Sequence, residues 1–249
     1  MSKLIWHQDF RSDGADLSEW NIRLGNDLVD DDGNFITTGW GNNEQQYYTD
    51  NASNLYIDHN GLHLCARLET VEYGDRRFAY TSAKIDTKNH MSFCYGKLIV
   101  RAKLPTGAGI WPAIWMMPQD SVYGAWPKSG EIDIMEAKGR MPDRVYSTLH
   151  HGTDMGPNKT TDEFDYHFEQ GGGIHEFHDY GLEWSEDVIR WTVDGYCFAE
   201  RRLEPGVTPF DQRFFLILNL AVGGWFDHVP IEESALPAVM TVTGIWLYQ

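Results

Sequence analysis

The sequence is poor in positive charge: 20 lysine and arginine residues stand against 37 aspartate and glutamate residues, which gives a formal net charge of −17. A chain of this charge is repelled by phosphate backbones and by anionic membranes, so we expect no nucleic-acid partner and no membrane partner. The same field disfavours sulfated or uronic polymers, although the potential of one local site can differ from the net value. The composition therefore weakly favours a neutral partner molecule.

Long apolar runs are absent as well. No stretch of about 18 uninterrupted apolar residues occurs, so the sequence predicts no membrane-spanning helix. Residues 1–9 reach a charge too early for a signal peptide. We expect either a cytoplasmic protein or a secreted one whose leader has been removed, and the sequence leaves these two possibilities open.

Cysteine is scarce, with Cys65, Cys94 and Cys197 as the three examples. Three scattered cysteines are too few for a disulfide framework, so we expect small buried side chains, with one disulfide and a leftover thiol as the alternative. His175 and His178 lack a helix and a second ligand pair, so they do not indicate a zinc site. The sequence predicts no metal centre.

Helical periodicity is rare, and only residues 230–235 briefly suggest a helix. Short alternating runs, 24 glycines and 10 prolines instead indicate an all-β sandwich or barrel, because such chains turn often. We expect residues 1–249 to form a single domain. The clearest predicted strands are residues 62–68, 97–104, 188–193, 196–200, 214–222 and 240–248.

One predicted strand, residues 129–136, carries three acids: Glu131, Asp133 and Glu136. In a regular strand Glu131 and Asp133 share a face while Glu136 points to the other face. A β-bulge at or next to Met135 would return Glu136 to the face of the other two acids, and bulges are common beside active sites. Ile132 and Ile134 would then face a core.

Three acids on one strand face repel one another, which pushes at least one toward its neutral form. Cleavage of a glycosidic bond needs two carboxyl groups with different pKa values: one carboxylate acts as nucleophile or base, and one carboxylic acid protonates the leaving oxygen. A distance of about 5–5.5 Å between the two carboxyl groups predicts retention of configuration, and a distance of about 6.5–9.5 Å predicts inversion. We expect the shorter distance between Glu131 and Glu136. A solvated acidic strand face is the alternative interpretation of the pattern alone.

The flanking motifs resemble those of glycoside hydrolase family 16, in particular its laminarinase-like endo-β-1,3-glucanases. The resemblance is carried by the acidic strand together with residues 42–49 (NNEQQYYT), 109–118 (GIWPAIWMMP), 126–127 (WP), 193–195 (VDG) and 219–224 (NLAVGG). It implies an all-β jelly-roll sandwich of two curved antiparallel sheets, with a substrate cleft on the concave face. We expect the loop-rich segments 25–50 and 152–175 to border that cleft.

The resemblance also implies roles for the three acids. Glu131 would be the nucleophile, Glu136 the acid/base, and Asp133 a hydrogen-bonding partner of the nucleophile. The expected activity is retaining endo-hydrolysis of β-1,3-glucan by a monomer that requires no cofactor. A β-1,3-1,4-glucanase, an agarase-like or carrageenase-like relative and a non-catalytic β-glucan-binding lectin are the alternatives.

Several further residues are candidates for sugar binding. Trp111 and Trp115 lie four positions apart and share a strand face with the small Ala113, a spacing that suits stacking on pyranose rings. Trp126 and Trp225 are proposed to line the cleft as well. Asn43 and His150 stand at positions that match the family motifs, so they would bind or border the substrate. Glu44 could instead brace the loop that carries Asn43.

Two departures from the family pattern bear on binding. Lys84 stands where members commonly have arginine, so a point charge replaces a bidentate guanidinium. Many relatives carry a structural calcium opposite the cleft, with an acidic ligand near the C terminus, where this chain has Thr243. A lost carboxylate weakens a calcium site, so we regard calcium as possible but doubtful.

Overall fold

The protein consists almost wholly of β-strands. The computed structural model describes residues 2–30, 32–169, 171–204 and 206–249. In chain order the strands are β1 Leu4–Asp9, β2 Asn21–Ile22, β3 Asp27–Val29, β4 Phe35–Thr38, β5 Gln46–Tyr48, β6 Leu55–Asp58, β7 Gly61–Tyr73, β8 Arg76–Ser82, β9 Lys84–Asp86, β10 Ser92–Phe93, β11 Gly96–Lys103, β12 Ile110–Pro118, β13 Glu131–Glu136, β14 Arg144–Gly152, β15 Lys159–His167, β16 His178–Trp184, β17 Val188–Val193, β18 Tyr196–Arg202, β19 Phe214–Val222 and β20 Ala238–Tyr248.

Two large sheets form a sandwich. The ten-stranded sheet has the order β18-β17-β16-β11-β20-β7-β8-β5, with β1 beside β20 and β6 beside β7, and the eight-stranded sheet has the order β15-β14-β13-β12-β19-β9-β2, with β10 beside β19. Among the described strands the pairing is antiparallel except between β5 and β8. The predicted all-β jelly-roll sandwich is confirmed, with that one parallel pair as an exception to its antiparallel sheets.

The core lies between the sheets because each strand turns alternate side chains inward. In β11, Leu98, Val100 and Ala102 are fully buried, whereas the intervening residues are partly exposed. Strand β19 is buried at all nine positions, as its uninterrupted apolar run predicts. It lies between β12 and β9 in the eight-stranded sheet.

Most of the predicted strands are confirmed. Tight turns at residues 58–61 and 193–196 join β6 to β7 and β17 to β18. The brief helical segment is a single 3-10 turn, Glu233–Ala235. The description of residues 152–175 as loop is wrong in part, because Lys159–His167 forms β15 at the edge of the eight-stranded sheet. This strand is rich in polar residues, as suits an exposed sheet edge, so its sequence resembles that of a loop.

The cysteines follow the prediction only in part. All three are free thiols; Cys65 is buried, Cys94 is partly buried and Cys197 is exposed. The expectation of burial is therefore wrong for Cys197, which lies on β18, the terminal strand of the ten-stranded sheet, where one edge has no partner among the described strands. Across the described residues, helices long and apolar enough to traverse a membrane are absent.

Candidate active site

A β-bulge in β13 organises the site, as predicted. Against β12 the register runs from Met135 opposite Ile114 directly to Asp133 opposite Trp115, so Ile134 is the extra residue. Against β14 the same bulge appears between Asp133 and Glu136. Ile134 and Met135 are both buried in the core, which returns Glu136 to the face that carries Asp133. We call this outward face of the eight-stranded sheet the cleft face.

Two buried donors hold the bulge in place. A bulge leaves backbone groups without their ladder partners, and a buried carbonyl without a partner is costly. The Ser147 hydroxyl donates to the Ile134 carbonyl at 2.7 Å, and the Trp191 indole N–H donates to the Asp133 carbonyl at 2.9 Å. The local conformation of β13 therefore depends on its neighbour β14 and on the opposite sheet.

His150 lies beside two of the acids. Its Nε2 atom is 3.6 Å from Asp133 Oδ2 and 4.0 Å from Glu131 Oε1, and its Nδ1 lies 3.1 Å from the Thr161 hydroxyl. Burial, with the nearby Lys159 charge, lowers the pKa of His150 to about 4, so the ring is neutral at pH 7. One ligand atom from each of Glu131, Asp133 and His150 lies within 4.8 Å of the others, so these side chains could also hold a metal ion.

The three acids have raised pKa values. Burial raises the pKa of Glu131 to about 7, against the opposing pull of the neighbouring Trp126 N–H and the Lys159 and Lys84 charges. Burial and the repulsion of Glu131 raise the pKa of Glu136 to about 8. The pKa of Asp133 lies well above its ordinary range because it is buried between these two carboxylates. The arrangement keeps Glu136 mostly protonated at neutral pH and favours the protonated form of Asp133.

Aromatic side chains surround Glu136. The Trp111 indole N–H donates to Glu136 Oε1 at 2.9 Å. Trp111 is stacked on Phe226, with ring centroids 5.0 Å apart, and Phe226 meets the edge of Tyr146 at 5.5 Å. The Lys138 ammonium lies 4.5 Å from the Phe226 ring centre and 4.8 Å from that of Tyr146. Glu136 thus has one fixed donor, an apolar wall and a cation nearby.

A hydrogen-bond chain fixes the other side of the cleft face. The Trp115 indole N–H donates to Asn219 at 2.7 Å, Asn219 donates to the Tyr48 hydroxyl at 3.1 Å, and Tyr48 donates to Glu44 at 3.1 Å. Gln46 also donates to Glu44, at 2.6 Å. Glu44 is buried, so it braces its loop from within, as the sequence suggested for this residue.

Lys84 lies between two tryptophans. Its ammonium is 3.9 Å from the ring centre of Trp40 and 4.9 Å from that of Trp115. The residue is 7% exposed, and burial lowers its pKa to about 8, although Glu44 and Asp86 draw the pKa upward. The cleft face therefore carries a weakly hydrated cation on this side.

Comparison with known proteins gives the family. The model of the glycosyl hydrolases family 16 matches residues 32–226. The chain belongs to glycosyl hydrolase family 16. It is 41% identical over 261 residues to the glucan endo-1,3-beta-glucosidase A1 of Niallia circulans, covering 99% of this chain and 38% of that protein. A glucan endo-1,3-beta-glucosidase of Cryptopygus antarcticus is 40% identical, with 93% and 84% covered.

Solved structures agree with this assignment. The laminarinase catalytic domain of Thermotoga maritima superimposes with a TM-score of 0.88 and 37% identity, covering 100% of this chain and 98% of that domain. The resemblance to laminarinase-like members of family 16 is confirmed, and the chain is a glycoside hydrolase. The chain spans little more than a third of the length of the Niallia circulans relative.

The remaining predicted residues of this family 16 site occupy its borders. Trp126 lies 6.2 Å from the His150 ring, with the Lys159 ammonium 4.7 Å from the Trp126 ring centre. Asn43 is exposed and has a positive φ of 57°. Trp225 is 57% exposed, and its backbone N–H donates to the Asn42 carbonyl, so it lies close to the loop of Asn43.

Four further residues of the family 16 site were not predicted from the sequence: Phe226, Trp40, Lys138 and Lys159. Phe226 directly follows Trp225, and Lys138 lies two positions beyond Glu136, so proximity in sequence was a usable signal for both. Trp40 and Lys159 lie on segments read as loops, where no periodicity marks the side chains that turn toward a site. Trp40 and Lys159 reach the site only because segments distant in the sequence come together in the folded chain.

The calcium site of many family 16 members does not fit this chain. Thr243 is 4% exposed, and its hydroxyl is 3.5 Å from the Arg101 carbonyl, to which it donates. The pocket beside Thr243 is lined by Arg11 and Lys103 and, among the described residues, by no carboxylate. Calcium takes six to eight oxygen ligands, carboxylates among them, so two cations oppose it here.

Proposed function

We propose that the protein hydrolyses internal β-1,3-glucosidic bonds of β-glucans such as laminarin, with retention of configuration. The observation that carries this proposal is the bulge at Ile134, because it gives Glu131 and Glu136 a common face beside Asp133. The names of the similar proteins, two endo-1,3-beta-glucosidases and a laminarinase, support the substrate class. We infer that the whole chain acts as one catalytic domain, as a monomer and without a required cofactor.

In the first step, the Glu131 carboxylate attacks the anomeric carbon while Glu136 donates its proton to the leaving glycosidic oxygen. The bond between the anomeric carbon and that oxygen breaks, and a glycosyl ester forms on Glu131. The raised pKa of Glu136, about 8, keeps its proton in place at neutral pH. The pKa of Glu131, about 7, leaves a nucleophilic carboxylate above that pH.

In the second step, the Glu136 carboxylate takes a proton from water, and the water oxygen attacks the anomeric carbon. The ester bond to Glu131 breaks, and the two inversions give net retention. Trp111 supports this step because its N–H donates to the Glu136 carboxylate, the form that acts as base. Glu136 thus alternates between acid and base with one fixed hydrogen-bond donor.

Asp133 and His150 position the nucleophile. Burial and the two neighbouring glutamates raise the pKa of Asp133, which favours its protonated form, and a protonated Asp133 can donate a hydrogen bond to the Glu131 carboxylate. His150, neutral and 4.0 Å from Glu131, adds a polar contact without a full positive charge. A neutral ring stabilises the carboxylate less than a cation would, so the nucleophile stays reactive.

Substrate binding falls to the aromatic rings of the cleft face. Trp111, Trp115 and Trp126 are partly exposed, so they can stack on the apolar faces of glucose rings. Lys84, between Trp40 and Trp115, offers an ammonium to sugar hydroxyls. Asn43 and Trp225 extend the surface along the neighbouring loop.

Product profiling on laminarin with anomeric detection tests the proposal. We expect oligosaccharides of several lengths from the earliest times, with the newly formed reducing ends in the β configuration. Parallel reducing-end assays on mixed-linkage glucan, agarose and carrageenan separate the enzymatic alternatives. Inactivity on laminarin would reject the substrate, and α-configured products would reject the retaining mechanism.

A glucan-binding lectin on the same fold is the alternative from another functional class. A protein that only binds has no need for a fixed donor on Glu136 or for raised pKa values in both glutamates, and this chain keeps both acids in such surroundings. Binding of laminarin without any hydrolysis would establish the lectin instead.

A further inference from the structure

The sheet opposite the cleft face carries a cavity that the proposed glucanase activity does not use. It has a volume of about 530 Å³ and opens on the outward side of the ten-stranded sheet. Thr241 and Thr243 of β20 point to it, because their neighbours Met240 and Val242 belong to the core. We call this cavity the outer pocket.

The lining of the outer pocket is cationic, which is unexpected for a chain with a net charge of −17. Arg11 and Lys103 both line it, and no carboxylate does so among the described residues. Lys103 lies with its ammonium 5.4 Å from the Phe177 ring centre and forms no ion pair with any described carboxylate. The Arg11 side chain is 51% exposed, so its guanidinium remains accessible.

The acids near the outer pocket are already engaged with other groups. Asp58 accepts from His63 at 2.8 Å, and Asp179 is paired with Arg101 at 2.9 Å. Asp9 accepts from the Arg11 backbone N–H at 3.0 Å, and its carboxylate lies 3.7 Å from the Arg11 guanidinium, so it offsets part of the Arg11 charge. The outer pocket therefore keeps a net positive charge, which comes mainly from Lys103, while Arg11 shares its charge with Asp9.

The floor of the outer pocket is polar and fixed. His63, 7% exposed, is held between Asp58 and the Thr241 hydroxyl, which lies 3.2 Å from its Nδ1. Thr241 and Thr243 are 5% and 4% exposed. Phe177 forms an apolar side of the cavity. The pocket thus combines two cations, buried hydroxyls and one aromatic ring.

We propose that the outer pocket binds a sugar that carries an oxyanion, either a sulfate ester or a carboxylate. Arg11 and Lys103 would pair with the anionic group, since charge-assisted hydrogen bonds to such groups are the strong ones. Thr241 and Phe177 would meet the hydroxyls and the apolar face of the ring. The volume supports this class of ligand, because sites for small molecules occupy about 300–1,000 Å³, more than a bare anion requires.

Calorimetric titration of the whole chain tests the proposal with four probes: glucose 6-sulfate, glucuronate, inorganic sulfate and glucose. We expect the first two to bind, inorganic sulfate to bind more weakly and glucose not to bind, all at low ionic strength. The double substitution Arg11→Gln with Lys103→Met should weaken the association constant by about tenfold or more, because both charge-assisted contacts are lost.

Lys97→Met is the matched control, since Lys97 lies on β11 like Lys103 but is paired with Glu183 at 2.9 Å. It should leave the binding of glucose 6-sulfate unchanged. The single variant Lys103→Gln replaces the double variant if thermal unfolding shows that the latter is misfolded. Failure of both acidic sugars to bind, equal binding of glucose, or unchanged binding in the Lys103 and Arg11 variants would overturn the proposal. If inorganic sulfate bound as tightly as glucose 6-sulfate, the proposal that the sugar ring contributes to binding would be overturned.

Discussion

The substitution Trp111→Phe tests the assignment of Glu136 as the acid/base. Trp111 donates its indole N–H to Glu136 Oε1 at 2.9 Å, and this bond favours the ionised carboxylate, so it lowers the pKa of Glu136. Phenylalanine lacks the donor but can keep a ring against Phe226, which lies 5.0 Å from Trp111. The variant therefore removes the hydrogen bond while it retains part of the aromatic wall.

The size of the shift follows from the bond. A hydrogen bond to a charged group contributes about 1.5–3 kcal/mol, and one pKa unit corresponds to about 1.4 kcal/mol, so complete loss would shift the pKa by about 1–2 units. Trp111 is partly exposed, and water can replace part of the bond. We expect the pKa of Glu136 to rise from about 8 by roughly one unit.

The assay is the pH dependence of kcat/KM on laminarin. The alkaline limb reports the group that must stay protonated, so it should move upward in the Trp111→Phe variant, together with a lower maximum rate. Trp115→Phe is the matched control, because Trp115 lies on the same strand and face but donates to Asn219 at 2.7 Å. An alkaline limb that stays in place for Trp111→Phe, or moves equally for Trp115→Phe, would refute the reasoning.

Three further predictions concern other parts of the site. Glu131→Gln should lose nearly all hydrolysis yet keep its melting temperature and laminarin binding, and normal turnover would sink its role as nucleophile. Burial lowers the pKa of Lys84 from 10.5 to about 8, which corresponds to a cost of roughly 3 kcal/mol for burying the charged form. Lys84→Met removes this cost and should raise the melting temperature, and it should also raise KM because the ammonium that meets the substrate is lost. As the pH rises, Lys84 loses its proton in the folded protein before it does so in the unfolded chain, so the wild type gains stability between about pH 8 and pH 10.5. The difference in melting temperature between Lys84→Met and the wild type should therefore shrink over this pH range. A difference that stays constant would contradict the lowered pKa. Ser147→Ala leaves the buried Ile134 carbonyl without its donor and should lower the free energy of unfolding by about 1–3 kcal/mol in urea titrations, whereas the exposed Ser18→Ala should have little effect.

Much of the architecture could be predicted from local patterns. The alternation of residues 97–104 and the apolar run of residues 214–222 identified β11 and β19, because strand periodicity and burial leave a direct trace in the sequence. The bulge was also predictable, since a regular strand would have turned Glu136 into the core. Strand β15 was missed because an edge strand rich in polar residues carries no such trace.

The sequence by itself determined which chemistry the chain can perform, because the spacing of Glu131, Asp133 and Glu136 permits a shared face only with an extra residue between them. Tertiary structure alone decided the surroundings that set their pKa values. Phe226 and Lys138 reach Glu136 through loops, and Lys159 reaches Glu131 from a distant strand. Burial and electrostatic interaction depend on distances in space, and those distances arise only when the two sheets pack together.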